Sequence, residues 1–590
     1  MPRRAIAFVG IVVAVIVASM IVLGFILPFN DSYNNGEESE RWPGQNIIFV
    51  SDEAGLRAQI ANATDDIIIA LENNIRLTST LIIPSGRNVT LTSAETEVVH
   101  WRNDPGYRFR LIAEGNFDAI TINIEAMLVI DGIRVTRTSG TDGRGLSNLG
   151  KLIMENGSIS DHINSHEGAM GWGGGIYNGP DAEFILRGGV ITNNSSANLG
   201  GGVFNHPHAV FVMEGGTISR NRAEHGGGID NRGNFIITNG LITYNTAYRG
   251  GGIDSYGDIN FLGGTVSDNT AGSGGGGGIN IQFGAGFNLY YGSIINNRAE
   301  NGGGVNSNGT FSVHGGIISN NSTEGLGGGI RSTSILIIND GVITNNNTSY
   351  RGGGVAGWGR FDLNGGTISY NNADLAGGGI HWGTSGMITM DGGFITQNSA
   401  SFGGGVSTFA AFVVTDGAIT NNTAHQSAGG VYSSWVLTLK NGRIANNNAQ
   451  WGGGVLSSGV FSILNGSIAD NIATISGGGV YTQSQFSMHG GEIVRNTAND
   501  NGGGVRIGNP RPEEALSIFT LYGGNILNNN ARYGGGVSNG GSLTVNGGEI
   551  SRNTAQQGGG VHNHVHDSVF NNGGTITDNS PNNIIWPPTS

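Results

Sequence analysis

Two aspartates, a run of histidines and four tryptophans are the residues whose type and spacing could do chemistry in this chain. Asp230 and Asp254 follow Ile229 and Ile253 at the same place in a repeat. Stacked repeats would bring such positions about 5 Å apart, and paired carboxylates can carry acid–base cleavage of glycosidic bonds. Asp161, Asp258, Asp268 and Asp391 are single carboxylates in otherwise neutral stretches, and the expectation for Asp230 and Asp254 is two surface carboxylates tolerated in a ladder. The run HNHVHD would place His562, His564 and His566 on one side of a strand, and imidazoles bind Zn²⁺. Same-side positions on a strand are about 6.5–7 Å apart, too far for three to share one ion without help from another turn. His206 and His208 repeat the theme. Trp358 and Trp382 fall near corresponding positions of neighbouring repeats, and Trp435 and Trp451 follow. Pointing outward they would stack on sugar rings or proteins; pointing inward they would be core. On these grounds the sequence assigns no catalytic, cofactor-binding or metal-ligating residue and requires no cofactor.

The element that must position these residues is a repeat. A Gly triplet followed by Ile or Val recurs with the apolar residue at Ile176, Val203, Ile229, Ile253, Ile279, Val305, Ile330 and Val355. It continues at Ile380, Val406, Val431, Val455, Val480, Val505, Val537 and Val561. Spacings are 24 to 27 residues except for one of 32 before Val537, where RIGNPRPEEALS is inserted. Only the copy before Val431 departs, reading Ala428-Gly429-Gly430. In phase with the triplet runs an apolar residue, two variable ones and Asn, from Asn194 and Asn221 through to Asn553 and Asn579. The unit is roughly GGG[IV]-x5-F-x-[LV]-x-GG-x-I-x-x-N-x-A.

Apolar residues in the unit alternate with period two and show no 3.6-residue stripe, which predicts three short strands. One unit has too little apolar surface to bury alone, so neighbouring units must stack into a solenoid. The fold class expected is all-β, a parallel β-solenoid of about 20 coils with an N-terminal transmembrane helix; the resemblance described below implies that it is a right-handed parallel β-helix. Gly suits tight corners. Asn tolerates left-handed backbone, and its amide can bond the same amide one coil away. The triplets could also cradle phosphate, but none opens a helix or precedes GK[ST].

Residues 1–29 read as a signal anchor. Arg3 and Arg4 precede an uncharged run over residues 5–29, longer than the roughly 20 residues that span a bilayer. The rest of the chain would then lie outside the cytoplasm; cleavage as a long signal peptide would release it instead. Residues 30–45 form a polar stalk. Residues 46–172 hold strands at 47–50 and 67–71 around an amphipathic segment at 52–63, with Ser51 as its N-cap and Leu56 and Ile60 on one face. That helix would cap the open end of the core, and irregular coils follow. In KLIMENGSISDH, His162 stands where Asn is expected. Residues 173–580 are the regular repeats. Residues 581–590 are a tail in which Trp586 would cover the last coil.

The 590 residues include 107 Gly, 12 Pro and no Cys, with a net charge of −14. Gly at more than twice its usual share without a Gly-X-Y period suggests disorder or a repeat fold. The acidic balance disfavours nucleic acid, and the lack of Cys removes disulfides and thiolate chemistry.

The export segment, LRAQIANA and IIPSGRNVTLTS resemble the N-terminal part of pectin-lyase-like right-handed β-helices. The GGG[IV] and IxxN repeat is similar to that of the chlamydial polymorphic outer-membrane proteins, marked by GGA[ILV] and FxxN, although Gly here replaces Ala and Ile mostly replaces Phe. No alternating strands of an outer-membrane barrel follow Asn579. The resemblance implies a cell-surface β-helix in adhesion or surface binding, held to the membrane by its N-terminal helix, with cell-surface glycans or proteins as partners. The alternative it leaves open is a surface polysaccharide lyase or glycoside hydrolase.

Overall fold

Each repeat folds as one turn of a parallel β-solenoid. The computed structural model describes residues 46–94, 109–508, 517–566 and 568–586, and these make an all-β solenoid of about 21 turns. The expected transmembrane helix and stalk, most of the RIGNPRPEEALS insertion and the last four residues of the tail lie outside the described residues.

A turn contains four short strands rather than three, for example Val203–Asn205, Val210–Met213, Thr217–Ser219 and Arg222–His225. The fourth carries the Ala of the motif, whose small apolar signal is easily missed. The first two strands of every turn join one sheet, and the third and fourth line two others. Pairing from turn to turn is parallel and in register, as in Val203 with Ile229 and Phe211 with Phe235. The chain coils as a right-handed parallel β-helix.

Period-two alternation sets the interior. In Val210–Met213, Phe211 and Met213 are buried while Val210 and Val212 are partly exposed. Equivalent phenylalanines stack directly, with ring centroids 4.6 Å apart for Phe184–Phe211 and Phe211–Phe235. Each inward Ile, Val or Phe contributes about 1.5–3 kcal/mol, and one core runs unbroken from Val50 to Val561. The irregular region before residue 173 is therefore part of the same rod.

The N-terminal end is closed by helix α1 (Glu53–Asn62), which buries Leu56 and Ile60. Its N-cap is Asp52, not Ser51: the Asp52 carboxylate accepts the Gly55 amide at 2.7 Å, and a carboxylate also favours the positive end of the helix. At the other end Ile584 packs on the core while Trp586 is 50% exposed, so Ile584 rather than Trp586 lies against the last turn.

The IxxN asparagines form a continuous internal ladder. The backbone N–H and the Nδ2 of Asn371 both donate to Oδ1 of Asn398 at 3.0 Å, and Nδ2 also donates to the Ile343 carbonyl at 2.9 Å. Asn346 gives the same two bonds to Asn371 Oδ1. Each amide thus ties together three turns and leaves no polar atom unpaired. The bond from Asn496 to Asn529 remains 2.9 Å across the 32-residue interval, so the ladder keeps its register there. These asparagines are not themselves left-handed. The residue before each one is, with φ of 55° at Asn193, 54° at Arg220 and 55° at Tyr244, which turns the following amide inward.

The Gly triplets are steric. A Cβ at Gly404 would lie 2.4 Å from the Thr423 carbonyl oxygen, and the first residue of the triplet has positive φ, 60° at Gly403 and 63° at Ala428. Left-handed backbone costs a non-Gly residue about 1–2 kcal/mol. Ala428→Gly is expected to raise stability by about 1 kcal/mol, and Gly404→Ala to lower it by about 2–3 kcal/mol, read from urea unfolding midpoints. Asn371→Ala strands the Asn346 N–H and the Ile343 carbonyl and should cost roughly 3 kcal/mol. A loss below 1 kcal/mol at Asn371 would contradict its place in the ladder.

Candidate functional site

The Gly triplet brings two outward-facing positions together. The residue just before it and the second residue after it meet across the corner, as Arg249 Nε does with Asp254 Oδ2 at 2.9 Å. Rings meet there too, Trp172 with Phe204 at 4.8 Å and Trp451 with Tyr481 at 5.9 Å between centroids. A third row, two residues further on, flanks the corner with Arg232, Tyr256, Trp358 and Phe409. Repeated turn by turn, the three rows make a seam along the rod.

Asp230 and Asp254 lie in this seam, in direct register. They are not the surface carboxylates expected: both are 0% exposed. Arg232 Nε donates to Asp230 Oδ1 at 3.0 Å, and Asn280 Nδ2 and Gln282 Nε2 donate to Asp254 Oδ1 at 2.6 and 3.0 Å. The guanidiniums lie over rings, Arg232 at 5.0 Å from the Tyr256 centroid and Arg249 at 5.6 Å. Burial first, and then the carboxylate of Asp254, push the Asp230 carboxyl well above its usual range against the opposing pull of Arg232 and Arg249. Asp230 Oδ2 and His225 Nδ1 have no hydrogen-bond partner among the described residues. Burial and Arg249 hold His225 below its ordinary value. The sequence reading paired the aspartates but missed their arginines. The signal was present: Arg249 directly precedes a triplet, and Arg232 stands two residues after Asp230.

The other candidates do not converge. Asp161 pairs with Arg134, Asp258 accepts the Gly286 amide at 2.8 Å, and Asp268 occupies a left-handed corner with φ of 55°. Asp391 borders an open concavity with Arg360 and Asp362. His206 turns its Nδ1 to the Pro207 carbonyl at 2.8 Å, while His208 sits at a left-handed turn. The strand at Val561–Asn563 is too short to hold three histidines on one side. His562 Nδ1 lies 3.2 Å from His564 Nε2, and His564 Nε2 also meets Ser538 Oγ at 3.0 Å, while His566 is in an exposed turn. Burial, Arg506 and His562 push His564 down to about 4, and a guanidinium beside the pair repels a cation. No group of three or more His, Asp or Glu able to hold a metal occurs among the described residues.

Trp358 and Trp382 are not equivalent, because Gly357 is the residue in register with Trp382. The one-residue offset sends them to opposite sides. Trp382 is 0% exposed, its Nε1 donating to the Gly359 carbonyl at 3.1 Å, whereas Trp358 and Trp451 are partly exposed on the seam and Trp435 is exposed in a turn.

His162 opens the Asn ladder in place of Asn, its backbone N–H donating to Asn194 Oδ1 at 3.1 Å. The buried ring meets the Val135 carbonyl through Nε2 at 3.2 Å and Arg137 Nε through Nδ1 at 3.3 Å. Burial and Arg137 push it down to about 3, so it is a neutral link in the core.

A carboxyl whose value rises on folding stabilises fully below its unfolded value, 3.8 for Asp230, and that contribution is lost as pH rises through the raised native value. Asp230→Asn removes this dependence. The stability of the variant relative to the wild type should therefore increase as pH is raised from 4 to 8, measured by urea unfolding; a difference that is flat across that window would refute the raised value.

No family model, curated protein or solved structure matches the chain, so the resemblances drawn from its repeat rest on the repeat and the rod alone.

Proposed function

We propose that the chain is a cell-surface binding protein, an adhesin-like rod that engages an extended glycan along its seam without cleaving it. The observation that carries this reading is the lining of the seam by partly exposed rings and guanidiniums. Arg331 lies 4.8 Å from the Trp358 centroid, Arg232 lies between Trp172 and Tyr256 above the buried ring of Phe204, and Trp451 packs on Tyr481. Flat rings stack on sugar faces, and fixed guanidiniums add directional donors. About 21 turns at about 4.8 Å each give a rod of roughly 100 Å, enough for many sugar units in a row. Five of the buried polar groups without a partner among the described residues, in His225, Asp230, Arg331, Arg351 and His381, lie in this seam. Each such group needs a partner that the protein itself does not supply, water or a ligand. The apolar run at residues 5–29 would hold the rod at a membrane, outside the cytoplasm.

The alternative, a polysaccharide lyase or glycoside hydrolase, draws support from the raised carboxyl of Asp230 beside Asp254. Acid–base cleavage requires the carboxyl to reach the glycosidic oxygen, and both aspartates are sealed beneath Arg232 and Arg249. That burial favours binding.

A glycan array probed with the full chain tests the proposal. Retention of a defined glycan class, weakened at least tenfold by Trp451→Ala, is expected, with no release of reducing or unsaturated ends. A silent array would overturn the binding reading. Release of such ends that Asp230→Asn abolishes would establish the enzymatic one.

A further inference from the structure

We infer that the concavity bordered by Arg360, Asp362, Met387 and Asp391 is a subsite for neutral sugar units, reached from the seam along one continuous strand. It rests on the glycan-binding reading above and adds to it a ligand class and a point of contact off the seam.

An irregularity in two adjacent turns sets the place. Elsewhere among the described residues the first two strands of a turn are separate. Here they fuse into single long strands, Val355–Leu363 and Ile380–Met390. Alternation puts Trp358, Arg360, Asp362 and Asn364 on one outward side. With about 6.5–7 Å between successive members, the row runs roughly 20 Å across the rod from the seam. Pairing of the two strands shifts between Gly357 and Gly359, where the second carries a bulge at Gly383–Ser385. A Cβ at Gly383 would lie 3.8 Å from Trp358 Cβ, so the bulge stands beside that ring.

The concavity measures about 580 Å³, a size that holds a small ligand. Unlike the sealed aspartates of the seam, its lining reaches solvent. The Arg360 side chain is 64% exposed and Met387 43%, and Asn364 and Asp391 are exposed. Arg360 Nε lies 2.7 Å from Asp362 Oδ2, and Thr389 Oγ1 donates to Asp362 Oδ1 at 2.7 Å. That pairing anchors the guanidinium and leaves its Nη groups to a ligand. Asn364 Nδ2 donates to Asn339 Oδ1 at 2.8 Å, which leaves Asn364 Oδ1 as an acceptor. Asp391 follows Met390 as Asn364 follows Leu363, the partner of Met390 in register. Its carboxylate has no hydrogen bond or ion pair among the described residues.

Sugar hydroxyls match this mixture. They donate to the Asp391 carboxylate and Asn364 Oδ1 and accept from Arg360, and bonds to ionised groups are the stronger kind. Met387 and Trp358 offer apolar surface to the C–H faces of the rings. One guanidinium stands against two carboxylates, so a uronate or sulfated unit meets like charge while a neutral one does not.

Calorimetry on the full chain tests the subsite with cellohexaose, mannohexaose and oligogalacturonate, and with calcium chloride alone. Binding of a neutral hexaose is expected, with an affinity that added salt leaves unchanged. Asp391→Ala should weaken it at least tenfold and Asp391→Asn, which keeps an acceptor without the charge, should weaken it less. Neither should lower the thermal midpoint, since the carboxylate bonds nothing in the fold. Unchanged affinity in Asp391→Ala, or binding of oligogalacturonate alone, would overturn the subsite; if Trp451→Ala weakens whatever binds, the seam still stands. Calcium uptake that Asp391→Ala abolishes, with no neutral hexaose bound, would make the concavity a cation site and overturn the inference. If nothing binds the wild type, subsite and seam both fall.

Discussion

The buried asparagine amide is the constraint on which the rest of this rod depends. It donates twice along the axis, accepts twice from the turn before, and reaches back to a third turn. Sixteen such residues from Asn194 to Asn579 link turn to turn. Because both the backbone N–H and the side chain of each amide point to the same acceptor, a turn that slipped by one residue would lose its bonds at once. Sheet pairing alone would tolerate such a slip far better. The ladder fixes register, register aligns the phenylalanine stack, and register also decides which outward residues meet across the Gly corner.

The seam follows from that alignment. Equivalent positions recur at every turn, so a pair such as Arg249 and Asp254 is a local choice made within a fixed geometry. Where aspartates are present, the corner closes on itself through ion pairs. Where Ala356 stands instead, Arg331 bonds Asn306 and Arg351 lies over the Tyr350 ring.

Much of the fold was legible in the sequence because a repeat multiplies a weak signal. One IxxN motif means little; sixteen in phase require stacking. The position of α1 and the inward Leu56 and Ile60 followed from ordinary patterning, although its cap shifted by one residue to Asp52 because a carboxylate there reaches the Gly55 amide. The left-handed residue was misplaced by one position, since Asn is merely tolerant of that backbone while its ladder role is exclusive. The site was less legible. Asp230 and Asp254 were paired correctly by period, yet their burial depends on Arg232 and Arg249 folding over them across a corner that no linear spacing reveals.

The left-handed residue before each ladder amide has a separate consequence. Its side chain is free to vary, and it is Asn, Arg, Tyr, Asp or Gln in different turns, while its backbone position is pinned by the amide that follows. The rod thus behaves as a ruler whose graduations are fixed and whose marks are interchangeable. New surface chemistry can be written at any graduation by a single substitution, with the interval to the next mark already set.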